Sequence, residues 1–157
     1  MWKRFFKNSN IFGIDIFDKN FCNERRIKTF QGSQNDEIFL NKVIQEIGSP
    51  DIVIDDGSHQ SADVIKSFSI LFKELKSGGI YVIEDLQTSY WEVNSRGHHW
   101  GGSKDINSTN TSMGFLKKLV DSLNWKEFEI ENYEPNYYEL NIYSIHFYHK
   151  MCFIIKA

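Results

Sequence analysis

Residues 51–85, "DIVIDDGSHQSADVIKSFSILFKELKSGGIYVIED", decide the fold, because a strand, a helix and a second strand follow one another there. "DIVID" and "IYVIED" are short runs rich in β-branched residues, as buried strands are. Between them, apolar side chains recur at helical spacing until Gly78 and Gly79 close the helix. A strand, helix and strand in this order form a crossover between parallel strands. The stretch therefore predicts an α/β fold built on a parallel sheet.

The same alternation is found before this stretch. "IFGIDIF" (11–17) and "RIKTFQG" (26–32) predict two further strands. "NDEIFLNKVIQEIG" (35–48) predicts a helix that begins at Asn35 or Asp36 and ends at Gly48. Strands that alternate with amphipathic helices indicate a sheet covered by helices on both faces.

The C-terminal part departs from this alternation. "MGFLKKLVDSLN" (113–124) predicts a third helix. "FEIENYEP" (128–135) and "IYSIHFYHKMCFIIKA" (142–157) together predict a terminal antiparallel hairpin. We expect a single domain over residues 1–157.

Composition narrows the classes of function. The chain has 157 residues and a formal net charge of -3, and no dense Lys/Arg tract suggests nucleic-acid binding. No apolar run approaches the ~20 residues that span a bilayer, so we expect no membrane insertion. The two cysteines, Cys22 and Cys152, have no metal-binding or redox spacing. We therefore expect a cytoplasmic protein, with self-association left open.

Acidic residues lie where the predicted strands end, and there they form three clusters: Asp15 with Asp18, Asp55 with Asp56, and Glu84 with Asp85. Ligands of parallel α/β sheets bind at the carboxyl ends of the strands. Carboxylates that converge there repel one another and need a cation, and their hard oxygens suit Mg²⁺, Mn²⁺ or Ca²⁺. Asp56, Glu84 and Asp85 are therefore the candidate metal ligands.

A histidine follows the second acidic cluster within a short loop. His59 lies three residues after Asp56, close enough to accept a proton from a hydroxyl held on the metal. The alternative is that these residues only form solvated turns or cap the next helix. Asp15 has two readings as well, since it could bind a ribose hydroxyl pair or form an ordinary strand-end turn.

Residues 87–111 form a long polar segment rich in glycine and aromatic residues, without periodicity. Long segments of this kind are often active-site lids. Tyr90, Trp91 and Trp100 flank the acidic cluster and could stack on a sugar or another planar ligand. Residues 87–111 are therefore the predicted lid.

Three stretches go beyond general pattern: "IDDGSH" (54–59), "SFSILFKELKSGG" (67–79) and "YVIEDLQTSYW" (81–91). Together they resemble the metal-dependent sugar O-methyltransferases of macrolide biosynthesis. The resemblance implies a Rossmann-like class I methyltransferase sheet, mostly parallel, with an antiparallel C-terminal hairpin. It implies methyl transfer from S-adenosylmethionine to the hydroxyl of a sugar-containing small molecule or glycan.

The resemblance also implies a role for each candidate residue. Asp56, Glu84 and Asp85 would bind Mg²⁺, and His59 would be the general base. By the same resemblance, Asp15 would bind the ribose of S-adenosylmethionine. Other parts of that cofactor would contact Asp55, Gln34 and Asp36.

One part of the family pattern has no counterpart here. No glycine-rich strand, turn and helix precede "IFGIDIF", so we expect an N-terminally truncated domain. In the family this strand lies between those ending at Asp15 and Asp55, and we expect the sheet to be interrupted there.

Two functions other than methyl transfer are alternatives for this sequence. A catalytically inactive remnant would keep the sheet as a binding or assembly module. A receiver-like signalling domain would accept phosphate on Asp56 but needs a lysine after a later strand. "IYVIED" is followed by Leu86, Gln87 and Thr88 instead, so the receiver-like domain fits the sequence poorly.

Overall fold

A computed structural model describes residues 1–93 and 97–157, which divide into two compact units, residues 1–48 and residues 49–157. Each unit is described by itself. The regular elements of the first unit are α1 (Trp2–Phe5), β1 (Ile11–Asp15), a 3-10 turn (Asn20–Cys22), β2 (Ile27–Gln31) and α2 (Glu37–Ile47).

The first unit is built on a parallel pair of strands. β1 and β2 pair in register from Ile11 opposite Ile27 to Asp15 opposite Gln31. The start of α2 is capped by Asp36, whose side chain accepts a hydrogen bond from the Phe39 N–H. The helix ends at Gly48, whose φ of 76° is a conformation that glycine adopts without strain. The predicted ends of this helix are confirmed.

The second unit contains a four-stranded sheet. Its elements are β3 (Ile52–Asp55), α3 (Ser61–Glu74), β4 (Ile80–Ile83), a 3-10 helix (Leu86–Tyr90), α4 (Ser112–Ser122), a 3-10 turn (Trp125–Glu127), α5 (Tyr137–Asn141), β5 (Ile142–Tyr148) and β6 (Met151–Lys156). The strand order is β3-β4-β6-β5. β3 and β4 are parallel, whereas β6 runs antiparallel to both β4 and β5. The predicted α/β architecture with a terminal antiparallel hairpin is confirmed.

The core of the second unit lies between α3 and the sheet. β4 is an inner strand, and Tyr81, Val82 and Ile83 are all buried. Phe68 of α3 is fully buried and contacts four aromatic rings at centroid distances of 4.9 to 5.6 Å: Phe72, Tyr81, Phe115 and Tyr138. Aromatic pairs in such geometries add stability beyond the burial of their area. This packing holds α3 against the strand that ends next to Glu84 and Asp85.

Two details of the sequence prediction were wrong. The C-terminal hairpin forms within residues 142–156, with its turn at His149 and Lys150, and residues 128–135 contain no strand. Instead, Tyr133 donates a hydrogen bond to Glu139, which also closes a capping box with Asn136 at the start of α5. The local capping contact therefore replaces the strand pairing that the alternation had suggested.

The second difference concerns the end of α3. The helix ends at Glu74, and Gly78 and Gly79 lie in the turn that follows it. A Cβ at Gly79 would lie 2.7 Å from the carbonyl oxygen of Lys76, so glycine is required by close packing of the turn. These glycines shape the entry into β4 and do not stop the helix.

β3 lies at the edge of its sheet although its sequence is that of an inner strand. Ile52 and Ile54 are 40% and 37% exposed, and the strands of the described residues form two sheets of two and four strands. β3 is thus an edge strand of the four-stranded sheet, and the expected interruption of a larger sheet stays a prediction. No described helix is long and apolar enough to cross a membrane.

The two thiols are expected to differ sharply in reactivity. Cys22 is exposed, whereas Cys152 on β6 is fully buried, and burial raises the pKa of its thiol to about 12. Because the thiolate is the reactive form, a disulfide reagent at pH 8 should titrate one thiol in the folded protein and two in guanidinium. The Cys22→Ser variant should have no fast-reacting thiol. Rapid reaction of two thiols without denaturant would contradict the placement of Cys152.

Candidate metal and cofactor site

The acidic residues of the second unit are brought together by the register of β3 and β4. The parallel pairing places Asp55, the last residue of β3, opposite Ile83, the last residue of β4. Asp56 and the pair Glu84 and Asp85 therefore leave the sheet at the same edge. The Glu84 N–H donates to the carbonyl oxygen of Asp55 at 3.0 Å and extends the pairing by one step. The expected convergence at neighbouring strand ends is confirmed.

Among the described residues, Asp56, His59 and Asp85 form a group that could hold a metal ion. One ligand atom from each lies within 4.8 Å of the others. The His59 Nε2 atom lies 3.9 Å from Oδ1 of Asp56 and 3.6 Å from Oδ2 of Asp85. Mg²⁺ binds oxygens at about 2.0–2.1 Å, so ligands on opposite sides are about 4 Å apart. The 4.8 Å limit on the group is close to this spacing, and its two carboxylates are hard oxygen donors of the kind that Mg²⁺ prefers.

Glu84, although a predicted metal ligand, is not part of that group. Partial burial raises the pKa of the Glu84 carboxyl, repulsion from Asp56 and Asp85 raises it further, and His59 lowers it. The two neighbouring carboxylates thus act on Glu84 electrostatically. Negative charge is therefore concentrated at this edge, which is the condition that favours a bound cation.

Two residues of the group have unusual backbone conformations. His59 and Asp85 have φ values of 56° and 55°, in the left-handed region. For residues other than glycine this region costs roughly 1–2 kcal/mol per residue, with Asp, Asn and His more tolerant than most. Strain of this kind persists only where the surrounding structure enforces it, and it is common at functional sites.

Two residues that follow the acidic pair after Leu86 contact His59 and Asp85. The Gln87 side-chain amide donates to Oδ1 of Asp85 at 2.9 Å, which orients that carboxylate. The Thr88 hydroxyl lies 2.8 Å from the carbonyl oxygen of His59 and 3.1 Å from that of Asp85. From the sequence, these two residues argue against a receiver domain and belong to the predicted lid. Their position next to the acidic pair was the available signal for a supporting role.

Asp55 lies on the opposite side of the strand end from Asp56. It is 8% exposed, and its Oδ2 accepts hydrogen bonds from Ser67 at 2.5 Å and from Tyr81 at 3.5 Å. Burial and then the charge of Asp55 raise the pKa of the Tyr81 phenol well above its ordinary value. The structure therefore gives Asp55 a packing role beside α3 that the sequence did not reveal.

The predicted cofactor residues of the first unit follow its two parallel strands. The Asp15 carboxylate accepts a hydrogen bond from the Phe17 N–H at 2.8 Å and lies 3.6 Å from Lys19 Nζ. Asp36 caps α2, and Gln34 is half-buried in the turn before it. Asp15, Gln34 and Asp36 thus lie at the carboxyl end of the pair. Asp15 takes part in a strand-end turn, and ribose binding by its carboxylate stays a prediction.

The predicted lid begins with structure that the sequence did not indicate. Residues Leu86–Tyr90 form a 3-10 helix, and Val93 and His99 form an isolated antiparallel bridge. The carbonyl oxygen of Trp100 accepts a hydrogen bond from the Ser61 N–H at 2.9 Å, which joins the segment to the start of α3. Residues 94–96 of the predicted lid lie outside the described residues.

Tryptophan side chains of the predicted lid lie beside His59. The Trp100 ring centroid is 6.4 Å from that of His59 and 6.4 Å from that of Trp91. Trp91 is 48% exposed, as is Tyr90 at 43%. Trp100 therefore lies beside His59, and its stacking on a sugar stays a prediction.

Fold and site together define an α/β protein with an acidic, histidine-containing group at the carboxyl ends of parallel strands. No protein-family model matches the chain. It is 44% identical to mycinamicin VI 2''-O-methyltransferase of Micromonospora griseorubida, over 100% of this chain and 38% of that relative. It is 43% identical to demethylmacrocin O-methyltransferase of Streptomyces fradiae, over 100% of this chain and 39% of that relative.

A solved structure gives the same result. The MycE methyltransferase of the mycinamycin pathway, in complex with Mg and SAH, matches with a TM-score of 0.91 and 44% identity, over 99% of this chain and 39% of that one. The same enzyme with Mg, SAH and mycinamycin VI matches with a TM-score of 0.90 at 43% identity. The chain is a homologue of the macrolide sugar O-methyltransferases and has the MycE fold over the matched part, so the expected resemblance is confirmed. It spans about two fifths of the length of these relatives.

Proposed function

We propose that this chain carries out Mg²⁺-dependent methyl transfer from S-adenosylmethionine to a hydroxyl of a sugar-containing small molecule. The observation that carries the proposal is the group of Asp56, His59 and Asp85, whose ligand atoms lie within 4.8 Å of one another. Relatives named as sugar O-methyltransferases, and the MycE complexes with Mg and SAH, support the same chemistry.

The metal would be held by the carboxylates at the strand ends. We assign Asp56 and Asp85 as ligands, with Glu84 as the third. Burial and then repulsion from Asp56 and Asp85 raise the pKa of Glu84, and a cation would offset that repulsion. A bound divalent cation makes a neighbouring hydroxyl more acidic. Gln87 keeps the Asp85 carboxylate oriented while its other oxygen faces His59.

His59 would accept the proton of the acceptor hydroxyl at Nε2. This nitrogen faces Asp56 and Asp85, the residues assigned as metal ligands. It would therefore lie close to an acceptor hydroxyl bound to the metal. S-adenosylmethionine, when bound, would supply the methyl group, and its bond from the methyl carbon to sulfur would break as the sugar oxygen takes that carbon.

Cofactor and acceptor contacts complete the assignment. Asp15 would bind the ribose hydroxyls, and Gln34, Asp36 and Asp55 other parts of S-adenosylmethionine. The Trp91 and Trp100 rings would give the sugar an apolar face to pack against, since Trp100 lies beside His59. We place this activity in the cytoplasm because neither cysteine has the spacing of a secreted disulfide framework.

A non-catalytic binding module is the second candidate. The exposed Ile52 and Ile54 on the edge strand β3 favour it, because unpaired apolar strands associate with other chains. The same edge supports self-association of the chain.

Calorimetry separates the two candidates. Titration of the chain with S-adenosylmethionine should give saturable binding, and titration with Mg²⁺ should give a second binding event, because each ligand has its own set of polar residues. A matched titration with adenosine controls for binding of the nucleoside alone. Absence of binding by both S-adenosylmethionine and Mg²⁺ would contradict the enzyme proposal and favour the binding module.

A further inference from the structure

We infer that Thr88 is a positioning residue that holds His59 and Asp85 in the left-handed conformations that bring their side chains together. This inference rests on the proposed function, since it concerns the residues assigned as base and metal ligand. It adds a residue that touches neither metal nor substrate and acts through its hydroxyl on two backbone carbonyls.

The Thr88 hydroxyl lies between two separate turns. It donates to the carbonyl oxygen of His59 at 2.8 Å, and the carbonyl oxygen of Asp85 lies 3.1 Å away. A threonine hydroxyl has a single proton, so the two carbonyls share one donor. His59 belongs to the loop after β3 and Asp85 follows β4, so this hydroxyl connects the ends of the two strands.

The position of the hydroxyl is itself determined by backbone contacts. The Thr88 N–H lies 3.2 Å from the Asp85 carbonyl oxygen, and the Thr88 carbonyl oxygen accepts a hydrogen bond from Trp91 at 3.0 Å. The residue is 3% exposed. Thr88 is therefore fixed in the 3-10 helix, and a displacement of its partners would leave a buried hydroxyl without its acceptor.

The conformations that Thr88 contacts are the ones that matter for the site. His59 and Asp85 have φ values of 56° and 55°, and the His59 Nε2 atom lies 3.6 Å from Oδ2 of Asp85. If the His59 backbone returned to an ordinary conformation, the direction of the imidazole would change. By holding both strained backbones, the hydroxyl of Thr88 keeps the imidazole of His59 aligned with the carboxylate of Asp85.

Substitution at Thr88 tests the inference. Thr88→Val keeps the shape of the side chain and removes the donor, whereas Thr88→Ser keeps the donor. In a titration of the full chain with Mn²⁺ followed by electron paramagnetic resonance, Thr88→Val should bind Mn²⁺ about tenfold more weakly than the unaltered chain, as loss of a supporting partner typically does. Thr88→Ser should restore affinity to the unaltered value.

The matched control is Thr29→Val. Thr29 is half-buried on β2, and its hydroxyl donates a hydrogen bond to Oδ1 of Asn23 at 2.8 Å. This variant should unfold at a lower temperature but bind Mn²⁺ normally. If Thr88→Val fails to fold, Thr88→Ala replaces it in the comparison.

A readout without metal separates this inference from the proposed function. In amide NMR spectra of the metal-free chain, Thr88→Val should shift the resonances of His59, Gln60, Asp85 and Leu86, and Thr88→Ser should return them. Unchanged resonances in Thr88→Val, or unchanged Mn²⁺ affinity in a chain that binds the ion, would overturn the inference. If the unaltered chain binds no Mn²⁺, the proposed function fails, and the amide spectra still decide whether Thr88 positions these residues.

Discussion

Replacing Asp56 with alanine is expected to weaken Mn²⁺ binding by about 100-fold or more, because the change removes a charged ligand. Loss of residues that only support ligands already costs about 10–100-fold. The group of Asp56, His59 and Asp85 then keeps a single carboxylate. Asp56 is exposed, so its removal should leave the folding temperature nearly unchanged. Electron paramagnetic resonance of free and bound Mn²⁺ measures the affinity.

Asp51 provides the matched control for this variant. It is also an exposed aspartate and adjoins β3, but at the opposite end of the strand, where it pairs with Lys76 at 2.9 Å. Asp51→Ala should bind Mn²⁺ like the unaltered chain. Equal affinity of the Asp56 and Asp51 variants would show that the metal does not bind at the strand ends.

Replacing His59 with asparagine is expected to lower the rate of methyl transfer by about 10²–10⁴-fold, the usual contribution of a general base. Asparagine tolerates the left-handed backbone found at this position, so the loop should keep its conformation. Mn²⁺ and S-adenosylmethionine should bind as before, since the base is assigned to the acceptor proton. Transfer of a labelled methyl group to mycinamicin VI, the compound bound in one of the MycE complexes, gives the rate.

His149→Asn is the control, because His149 is exposed in the turn between β5 and β6. It should leave the rate unchanged. Full turnover in the His59 variant would refute the assignment of the base. A large loss of Mn²⁺ affinity in that variant would instead identify His59 as a metal ligand, an arrangement that the 3.6 Å distance to Asp85 also permits.

The candidate ligands could be predicted from sequence because they depend on short-range pattern and one topological rule. An apolar run ending in Asp55 and Asp56, a helix, and a second run ending in Glu84 and Asp85 imply two neighbouring parallel strands. Parallel strands end at the same edge, so the carboxylates must converge. The homologues and the MycE structures support the resemblance that these same residues suggested.

Other features depended on contacts between distant residues. Ser67 and Tyr81 contact Asp55, and Thr88 contacts His59 across 29 positions of the chain. No periodicity marks such pairs. The C-terminal hairpin was misplaced for a similar reason, since the alternation of residues 128–135 resembles a strand until Tyr133 and Glu139 are seen to pair.

The sequence by itself determined the alternation of strands and helices, the acidic strand ends and the histidine beside them, because local propensity and side-chain period act over a few residues. Only the tertiary structure decided that His59 and Asp85 take left-handed backbones and that a shared hydroxyl joins them. It also decided that Glu84 stands outside the closest ligand group. These features depend on where two loops meet after the strands have paired, and their spacing is set by packing and hydrogen bonds that no single segment encodes.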